Sequence, residues 1–255
     1  MKKNLFFVAA TLAAMFGTTS CVNEVDMFKY NGKGTISLNV TNDDVFAVET
    51  RASVSSTSTD WYVKVNNDAA ITVSALQGKA YTASQTNSLS VYYKNATLAE
   101  SLGANNGWGE AFWSGTSDNF VIEAGKTASV NVTCGAAQNA AFSVAFNESF
   151  TNVAAEGYKV TASMSSRSLE YNAGTGTKLG YFEPGTLTYA VSGTVNGKTV
   201  NISKNLTLVA GTKYVLTVKA NTNGTIGLSI TYTEMADGDA QEVTIDAATG
   251  AEVNP

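Results

Sequence analysis

Apolar and polar residues alternate along most of the chain. The period-two runs lie at residues 36–40, 61–66, 130–132, 142–146, 159–163, 187–193, 198–202, 214–219 and 227–233. Such alternation is typical of strands that bury one face. Asn196-Gly197 separates two of these runs and predicts a tight hairpin, because both residues tolerate positive φ angles. Only residues 96–102, rich in Ala, Leu and Glu, predict a helix. The chain is therefore predicted to be all-β with at most one short helix.

A short element occurs twice, 86 positions apart. Val-Ile-Glu-Ala-Gly-Lys at residues 121–126 resembles Thr-Leu-Val-Ala-Gly-Thr at residues 207–212, and a strand follows each. Together with the many short strands, this repeat predicts two tandem antiparallel β-sandwich domains. We place them at residues 34–134 and 135–255, the second ending in a short C-terminal strand. The link between them is residues 135–139. Chance likeness between two β-turns is the alternative.

The amino terminus has the form of a secretory signal peptide. Two lysines precede an apolar stretch from Leu5 to Phe16, and small residues lead to Cys21. The stretch is shorter than the roughly 20 residues that span a bilayer, so no transmembrane helix is predicted. The segment resembles a bacterial lipobox, although Thr18 stands where an aliphatic residue is usual. We predict a signal peptide at residues 1–20, a lipid on Cys21 and a tether over residues 21–33. Ordinary secretion with a free thiol is the alternative.

The amino-acid composition excludes several classes of function. The 255-residue chain has no histidine and a formal net charge of −5, which becomes −7 without the two lysines of the signal peptide. Serine triads, thiol–imidazole dyads and the usual zinc sites are excluded without histidine. The acidic balance lacks the basic footprint of a nucleic-acid-binding protein. Cys134 continues a strand alternation and is predicted to be a buried apolar residue rather than a nucleophile. We therefore predict no catalytic residue, metal or cofactor.

Three tryptophans supply a weaker candidate site. Trp61, Trp108 and Trp113 are a candidate stacking platform for sugar rings. Core packing is the favoured alternative for Trp61, which lies in an alternating strand. Trp108 and Trp113 lie in a glycine-containing stretch, where at least one of them is expected to be exposed.

The order of these segments resembles a known family. It runs from the lipobox through the strands at residues 34–40 and 130–134, the turn elements at 120–127 and 210–214, Thr50-Arg51-Ala52 and Gly180-Tyr181-Phe182. From residue 1 to about 246 it resembles the domain-of-unknown-function 4493 family of Bacteroidetes lipoproteins. These resemble the fimbrillin-like and major-fimbrium-like lipoproteins. The resemblance implies a pair of transthyretin-like β-sandwiches without catalytic residues.

The resemblance also implies a processing step. Fimbrillin-like precursors lose their first strand to an arginine-specific protease and polymerise when a strand of another subunit fills the exposed groove. Here the first strand lies within residues 34–48, and Arg51 separates it from a Ser- and Thr-rich tract at residues 53–59 that is predicted to be mobile and accessible. Arg51 is the candidate processing site, with a solvated loop arginine as the alternative. Arg167 is a competing surface arginine.

Together these features predict a non-enzymatic lipoprotein of the cell envelope with a structural or adhesive role. It would be anchored at the outer membrane or cell surface through Cys21 and would act as an accessory component of a fimbria-like assembly. Its expected partners are other protein subunits, joined by strand addition. The alternative is a carbohydrate-binding surface lipoprotein of a glycan-uptake system, with a glycan as its partner.

Overall fold

The computed structural model describes residues 29–42, 52–104 and 106–220, and three later strands at residues 226–233, 241–245 and 252–253. Residues 52–53 and the three later strands are described by their backbone alone. Within this part of the chain there are twenty strands and three short helices, which confirms the all-β prediction. No described helix is long and apolar enough to cross a bilayer.

The first ten strands form three sheets. They are β1 (Lys33–Asn42), β2 (Ala52–Ser53), β3 (Trp61–Val65), β4 (Ile71–Thr72), β5 (Ala80–Thr82), β6 (Ser84–Asn87), β7 (Leu89–Tyr93), β8 (Ser114–Thr116), β9 (Phe120–Ile122) and β10 (Thr127–Thr133). In the first sheet β1 pairs with β10, β2 and β5, the second has the order β4-β3-β7-β8, and the third joins β6 to β9. Their inward side chains, which include Ile36, Val63, Leu89 and Ile122, form the N-terminal core together with Leu76.

The later strands form two sheets. They are β11 (Ala140–Phe146), β12 (Lys159–Met164), β13 (Arg167–Tyr171), β14 (Gly180–Phe182), β15 (Gly185–Val195), β16 (Lys198–Leu208), β17 (Lys213–Ala220), β18 (Ile226–Thr233), β19 (Gln241–Ile245) and β20 (Glu252–Val253). The sheet orders are β14-β11-β17-β18-β19-β20 and β13-β12-β15-β16. Between them lies the C-terminal core, rich in the rings of Phe142, Phe150, Tyr171, Phe182 and Tyr189. No sheet of the described chain mixes strands from the two sets.

The helices are α1 (Val73–Leu76), α2 (Leu98–Leu102) and α3 (Glu148–Thr151). The sequence predicts α2, and a capping box between Thr97 and Glu100 fixes where it begins. It does not predict α1 and α3, so the expectation of at most one helix is too low. Each is a single turn that begins after a capping residue, Thr72 or Asn147. A single turn is too short to show helical periodicity in the sequence.

Strand pairing repeats between the two sets. Asn196 and Gly197, with φ angles of 49° and 76°, join β15 to β16 and confirm the predicted hairpin. Two pairs, β1–β10 and β11–β17, are parallel, so the sheets are not purely antiparallel as predicted. In each pair the opening strand lies beside the strand that follows the repeated Ala-Gly turn, and Gly125 and Gly211 both have a φ angle of 72°. Long connections permit this parallel pairing.

The two cores are tied together by exchanged side chains. Trp108 packs against the C-terminal core, whereas Tyr181 packs against the N-terminal core. The backbone N–H of Tyr181 donates to the carbonyl of Trp108 at 2.9 Å. The link at residues 135–139 is also packed, since Ala137 and Asn139 are 1% and 0% exposed. The domain boundary at this link stays a prediction.

Candidate functional site

Strand β1 is an amphipathic strand at the edge of the N-terminal core. Ile36, Leu38 and Val40 are 2%, 8% and 1% exposed, whereas Ser37 and Asn39 are exposed. This confirms the facing predicted from the alternation. Burial of three aliphatic side chains, each worth about 1.5 to 3 kcal/mol, stabilises the strand in this position.

Backbone pairing holds β1 on one side along most of its length. It runs parallel to β10 from the pair Thr35–Thr127 to the pair Thr41–Thr133. On its other edge, β5 pairs with residues 33–35 and β2 with residues 41–42, so no described strand pairs there with residues 36–40. Strand β1 is thus seated in a slot, which we call the β1 slot, formed by β10, β5, β2 and the N-terminal core.

The turn at residues 123–126 clamps the beginning of the β1 slot. The N–H of Gly125 donates to the carbonyl of Lys33, and Glu123 forms ion pairs with Lys126 at 2.5 Å and Lys29 at 2.8 Å. Hydrogen bonds from Lys126 and from Lys29 lower the pKa of the Glu123 carboxyl. The pairs are solvent-exposed and therefore contribute little to stability, but they order the entry to the slot.

The two predicted modification sites, Cys21 and Arg51, lie outside the described residues. The Ser- and Thr-rich tract after Arg51 is exposed, as predicted, but it forms a defined turn rather than a free linker. The N–H of Ser58 donates to the carbonyl of Ser55 at 2.9 Å, and the hydroxyls of Ser55 and Thr57 are 2.9 Å apart. Ser and Thr side chains stabilise such turns by bonding to nearby backbone.

Arg167 is not a surface arginine, contrary to the sequence-based prediction. It is 7% exposed, and its guanidinium donates hydrogen bonds to the backbone carbonyls of Leu102, Ala104 and Gly107. The guanidinium also lies 5.3 Å from the centre of the Phe182 ring. Burial lowers the pKa of Arg167. A protease cannot reach the peptide bond after Arg167 without first unfolding this contact between the two cores.

The structure brings together only two of the three candidate tryptophans. Trp61 and Trp113 are each 7% exposed, with ring centres 6.4 Å apart and planes 32° apart. Tyr93 completes an aromatic cluster, 5.4 Å from Trp61 and 5.5 Å from Trp113. Trp108 lies apart from this cluster, packed edge-on against Tyr171 in the C-terminal core. The three tryptophans therefore do not form one platform. Trp61 and Trp113 lie together, and the third ring of their cluster is Tyr93.

Neighbouring strands explain the aromatic cluster. Trp61 on β3 is directly opposite Tyr93 on β7, and the N–H of Tyr93 donates to the carbonyl of Trp113 just before β8. A groove of about 540 Å³ is lined by the three residues of the cluster together with the Ser- and Thr-rich turn and Asp60. The rings pack on one another, and Lys94 lies 5.0 Å from the centre of the Tyr93 ring. No coplanar, exposed pair of tryptophan rings is formed.

Cys134 is a buried thiol in the N-terminal core. It is 6% exposed, and burial raises its pKa to about 12. A thiol with this pKa is protonated at neutral pH and is a poor nucleophile. The prediction that Cys134 is a small apolar core residue is consistent with this environment. Among the described residues, no group of three or more Cys, Asp or Glu side chains could hold a metal ion.

Comparison with known proteins supplies a family. The family model described as "Domain of unknown function (DUF4493)" matches residues 32–247. The chain belongs to the DUF4493 family. The match begins just before β1 and extends past β19, so β1 and β10 are both part of the DUF4493 domain.

A solved structure and the curated proteins complete the comparison of this DUF4493 chain. The crystal structure of a candidate cell adhesion protein from Bacteroides fragilis is similar over 62% of this chain and 67% of that chain. The sequence identity is 15% and the TM-score is 0.33. No curated protein matches the chain.

Sequence reasoning missed the relation between β1 and β10. Residues 35–41 and 127–133 carry nearly the same sequence, and the structure pairs them residue for residue. A comparison of the chain with itself at a spacing of 92 residues gives this signal. Such a comparison does not predict that the two segments pair, because similar strands also occur far apart in one fold.

Proposed function

We propose that this DUF4493 protein is a non-enzymatic, lipid-anchored envelope protein with a structural or adhesive role, and an accessory component of a fimbria-like assembly. In this proposal cleavage after Arg51 frees β1, and a strand from another subunit then fills the β1 slot. The observation that carries the proposal is the seating of β1, which comes before Arg51 in the chain and contributes three aliphatic side chains to the core.

Loss of β1 would leave a reactive surface. The backbone donors and acceptors of β10 that face β1 would be unpaired, and the pockets of Ile36, Leu38 and Val40 would be open to water. An exposed edge of this kind recruits an extended segment through main-chain hydrogen bonds, and its pockets select alternate side chains. Arg167, the other arginine of the chain, is buried, which favours Arg51 as the processing site.

The decisive experiment treats the purified chain with an arginine-specific protease. We expect one early cut, after Arg51, followed by conversion of monomer to oligomer in size-exclusion chromatography. Arg51→Lys keeps the positive charge but removes the cleavage site, so both events should stop while the circular dichroism spectrum stays unchanged. A cut chain that remains a monomer with β1 bound, or a first cut after Arg167, contradicts strand replacement.

Membrane anchoring is tested separately. Metabolic labelling with an alkyne fatty acid should mark the wild-type chain and leave Cys21→Ser unlabelled and in the soluble fraction. Cys134→Ser is the matched control, because it removes the other cysteine and should leave labelling unchanged. Labelling that persists in Cys21→Ser contradicts the anchor. The carbohydrate-binding alternative stays a prediction.

A further inference from the structure

Strand β16 lies at one edge of the sheet with the order β13-β12-β15-β16. Strand β15 pairs with one side of it over all eleven residues, from Lys198 to Leu208. On its other side, no strand of the described chain pairs with β16 and no described backbone group bonds to it. Strand β16 is thus a long edge with unpaired main-chain donors and acceptors, an arrangement that recruits another strand.

The hairpin shows which backbone groups face the free edge. Val195 and Lys198 flank a two-residue turn, so they exchange hydrogen bonds, and such pairs recur at every second residue. The carbonyl of Thr194 accepts from the N–H of Ala155, on the side away from β16, as this pattern requires. The backbone groups of β16 that point to the free edge therefore belong to its odd-numbered residues, Thr199, Asn201, Ser203, Asn205 and Thr207. All of these side chains are exposed.

The sequence of this edge is nearly the same in both directions. Residues 199–207 are Thr-Val-Asn-Ile-Ser-Lys-Asn-Leu-Thr. Reversal about Ser203 places Thr on Thr, Asn on Asn and Val on Leu, and only Ile202 and Lys204 differ in type. A two-fold axis between identical chains requires this property, because residue i faces residue j and j faces i. Strand β16 is therefore complementary to itself in the antiparallel direction.

We propose that β16 pairs with β16 of a second copy of this chain, antiparallel about a two-fold axis at Ser203. The facing pairs are then all odd-numbered residues, whose backbone groups already point to the edge, so the two sheets become one continuous sheet. On the exposed face, hydroxyls and carboxamides meet their own kind and can both donate and accept. Asn205 Oδ1 accepts from the Thr188 hydroxyl at 2.9 Å, which leaves Nδ2 for the partner's Asn201.

Such a dimer is closed and weak. A two-fold contact uses the free β16 edge of both copies, so it does not extend into a filament. One pair of strands buries less than the roughly 1,200 Å² of stable complexes. Lys204 also lies diagonally across the axis from the partner's Lys204, and like charges at this spacing repel. Dimers should therefore form only at high protein concentration. They need neither cleavage after Arg51 nor release of β1, so the inference stands or falls separately from the proposed function.

Cross-linking of the full, uncleaved chain tests the register. Cysteines are introduced in a Cys21→Ser background, in which Cys134 is buried. Ser203→Cys should form a disulfide-linked dimer under mild oxidation, because facing Cα atoms are about 5.5 Å apart. Thr199→Cys is the matched control, since it is also exposed but lies about 27 Å from its own copy along the paired strands. It should cross-link only when it is mixed with Thr207→Cys.

Sedimentation of the uncleaved chain gives an independent measurement. The wild-type chain should change reversibly from monomer to dimer as its concentration rises. Ser203→Pro should stay a monomer with an unchanged circular dichroism spectrum, because proline removes an N–H that faces only the free edge. Lys204→Gln should tighten the dimer by about two- to fivefold, the effect of removing one contact between exposed charges.

Several results would overturn the inference. Thr199→Cys that cross-links alone as fast as Ser203→Cys would indicate random collision. A wild-type chain that stays monomeric at every concentration would leave the edge to a strand of some other protein. Ser203→Pro that dimerises like the wild type, or Lys204→Gln that weakens the dimer, contradicts pairing about Ser203. If Ser203→Pro fails to fold, the pattern of cysteine cross-links still decides.

Discussion

Single buried polar residues connect parts of this molecule that are far apart in the sequence. Arg167 has no carboxylate partner among the residues that the structure describes, and three backbone carbonyls surround its guanidinium instead. A guanidinium presents five N–H donors in a rigid fork, so one side chain can fix a whole loop. The backbone at Leu102, Ala104 and Gly107 is thereby attached to β13, which contributes to the C-terminal core.

Replacing Arg167 with Met should lower the free energy of unfolding by about 3 kcal/mol, because the carbonyls of Leu102, Ala104 and Gly107 lose their donor in a buried place. Urea unfolding followed by circular dichroism measures this loss. Lys178→Ala is the control, since Lys178 is exposed and its ammonium lies 4.6 Å from the centre of the Trp108 ring. It should cost about 0.5 kcal/mol. Similar losses for both variants would mean that the three hydrogen bonds add no stability.

Because of the Cys134 thiol, the stability of the folded chain is expected to change with pH in the alkaline range. Its pKa is raised to about 12 in the folded chain, above the ordinary value of roughly 8.5. The neutral thiol is favoured by folding, so its contribution is complete below about pH 8.5 and is lost as pH rises toward 12. We expect a falling urea midpoint above pH 9 and a shallower fall for Cys134→Ala. Burial also raises the pKa of Tyr171, so some decline should persist in that variant. Parallel curves for the two proteins would contradict this assignment.

At the scale of elements, Gly34 sets how closely β1 approaches the turn at residues 123–126. A Cβ at this position would overlap the backbone carbonyl oxygens of Glu123 and Lys126. Backbone atoms cannot rotate away as a side chain can, so β1 or the turn would have to move. Glycine at this position is therefore required by space and not by an unusual φ angle.

Gly34→Ala should destabilise the chain by about 2 kcal/mol and loosen the beginning of β1. Hydrogen exchange should become faster at the β1 amides, and β1 should leave the slot sooner after cleavage at Arg51. Gly197→Ala is a matched control in the hairpin between β15 and β16. There the added Cβ meets open space, and only the positive φ angle costs about 1 kcal/mol. Unchanged β1 exchange in Gly34→Ala would show that the turn does not control the strand.

At the scale of the whole molecule, hydrogen bonds and packed side chains join the two cores. Asn139, fully buried, accepts from the N–H of Phe112 and donates to the carbonyl of Glu110, while its own carbonyl accepts from the N–H of Gly211. Together with Arg167 and the exchange of Trp108 for Tyr181, this residue joins elements of both cores. We infer that neither core unfolds far without disturbing the other.

Tryptophan fluorescence can test this coupling. Trp108→Phe leaves Trp61 and Trp113 as reporters of the N-terminal core, whereas Trp61→Phe with Trp113→Phe leaves Trp108 as a reporter beside the C-terminal core. For each variant, circular dichroism first gives the urea midpoint of the whole chain, which includes the destabilisation caused by its own substitutions. In both proteins the midpoint from tryptophan fluorescence should then equal that circular dichroism midpoint. Adding Asn139→Leu to each variant should make the N-terminal core and the C-terminal core unfold at different urea concentrations. Separate transitions without that change would show independent domains.

The sequence by itself determined the local features of this protein. Alternation decided that Ile36, Leu38 and Val40 face inward, and the Asn196-Gly197 pair decided a hairpin, because side-chain facing and turn geometry depend on adjacent residues. The buried environment of Cys134 likewise agrees with its place in an alternating strand. The Ala-Gly element that occurs twice marks the turns before β10 and β17, the two strands that pair in parallel with the opening strands β1 and β11.

Only the tertiary structure decided which distant segments meet. The partner of β1 is 92 residues away, and the carbonyls that bury Arg167 are about 60 residues away from it. Trp61 and Trp113 pack with Tyr93, whereas Trp108 packs against the C-terminal core. Sequence patterns describe how one segment presents its faces, but burial depends on which surface covers a face. Which surface covers a face is determined by the packing of the whole chain, and a local sequence pattern does not contain that information.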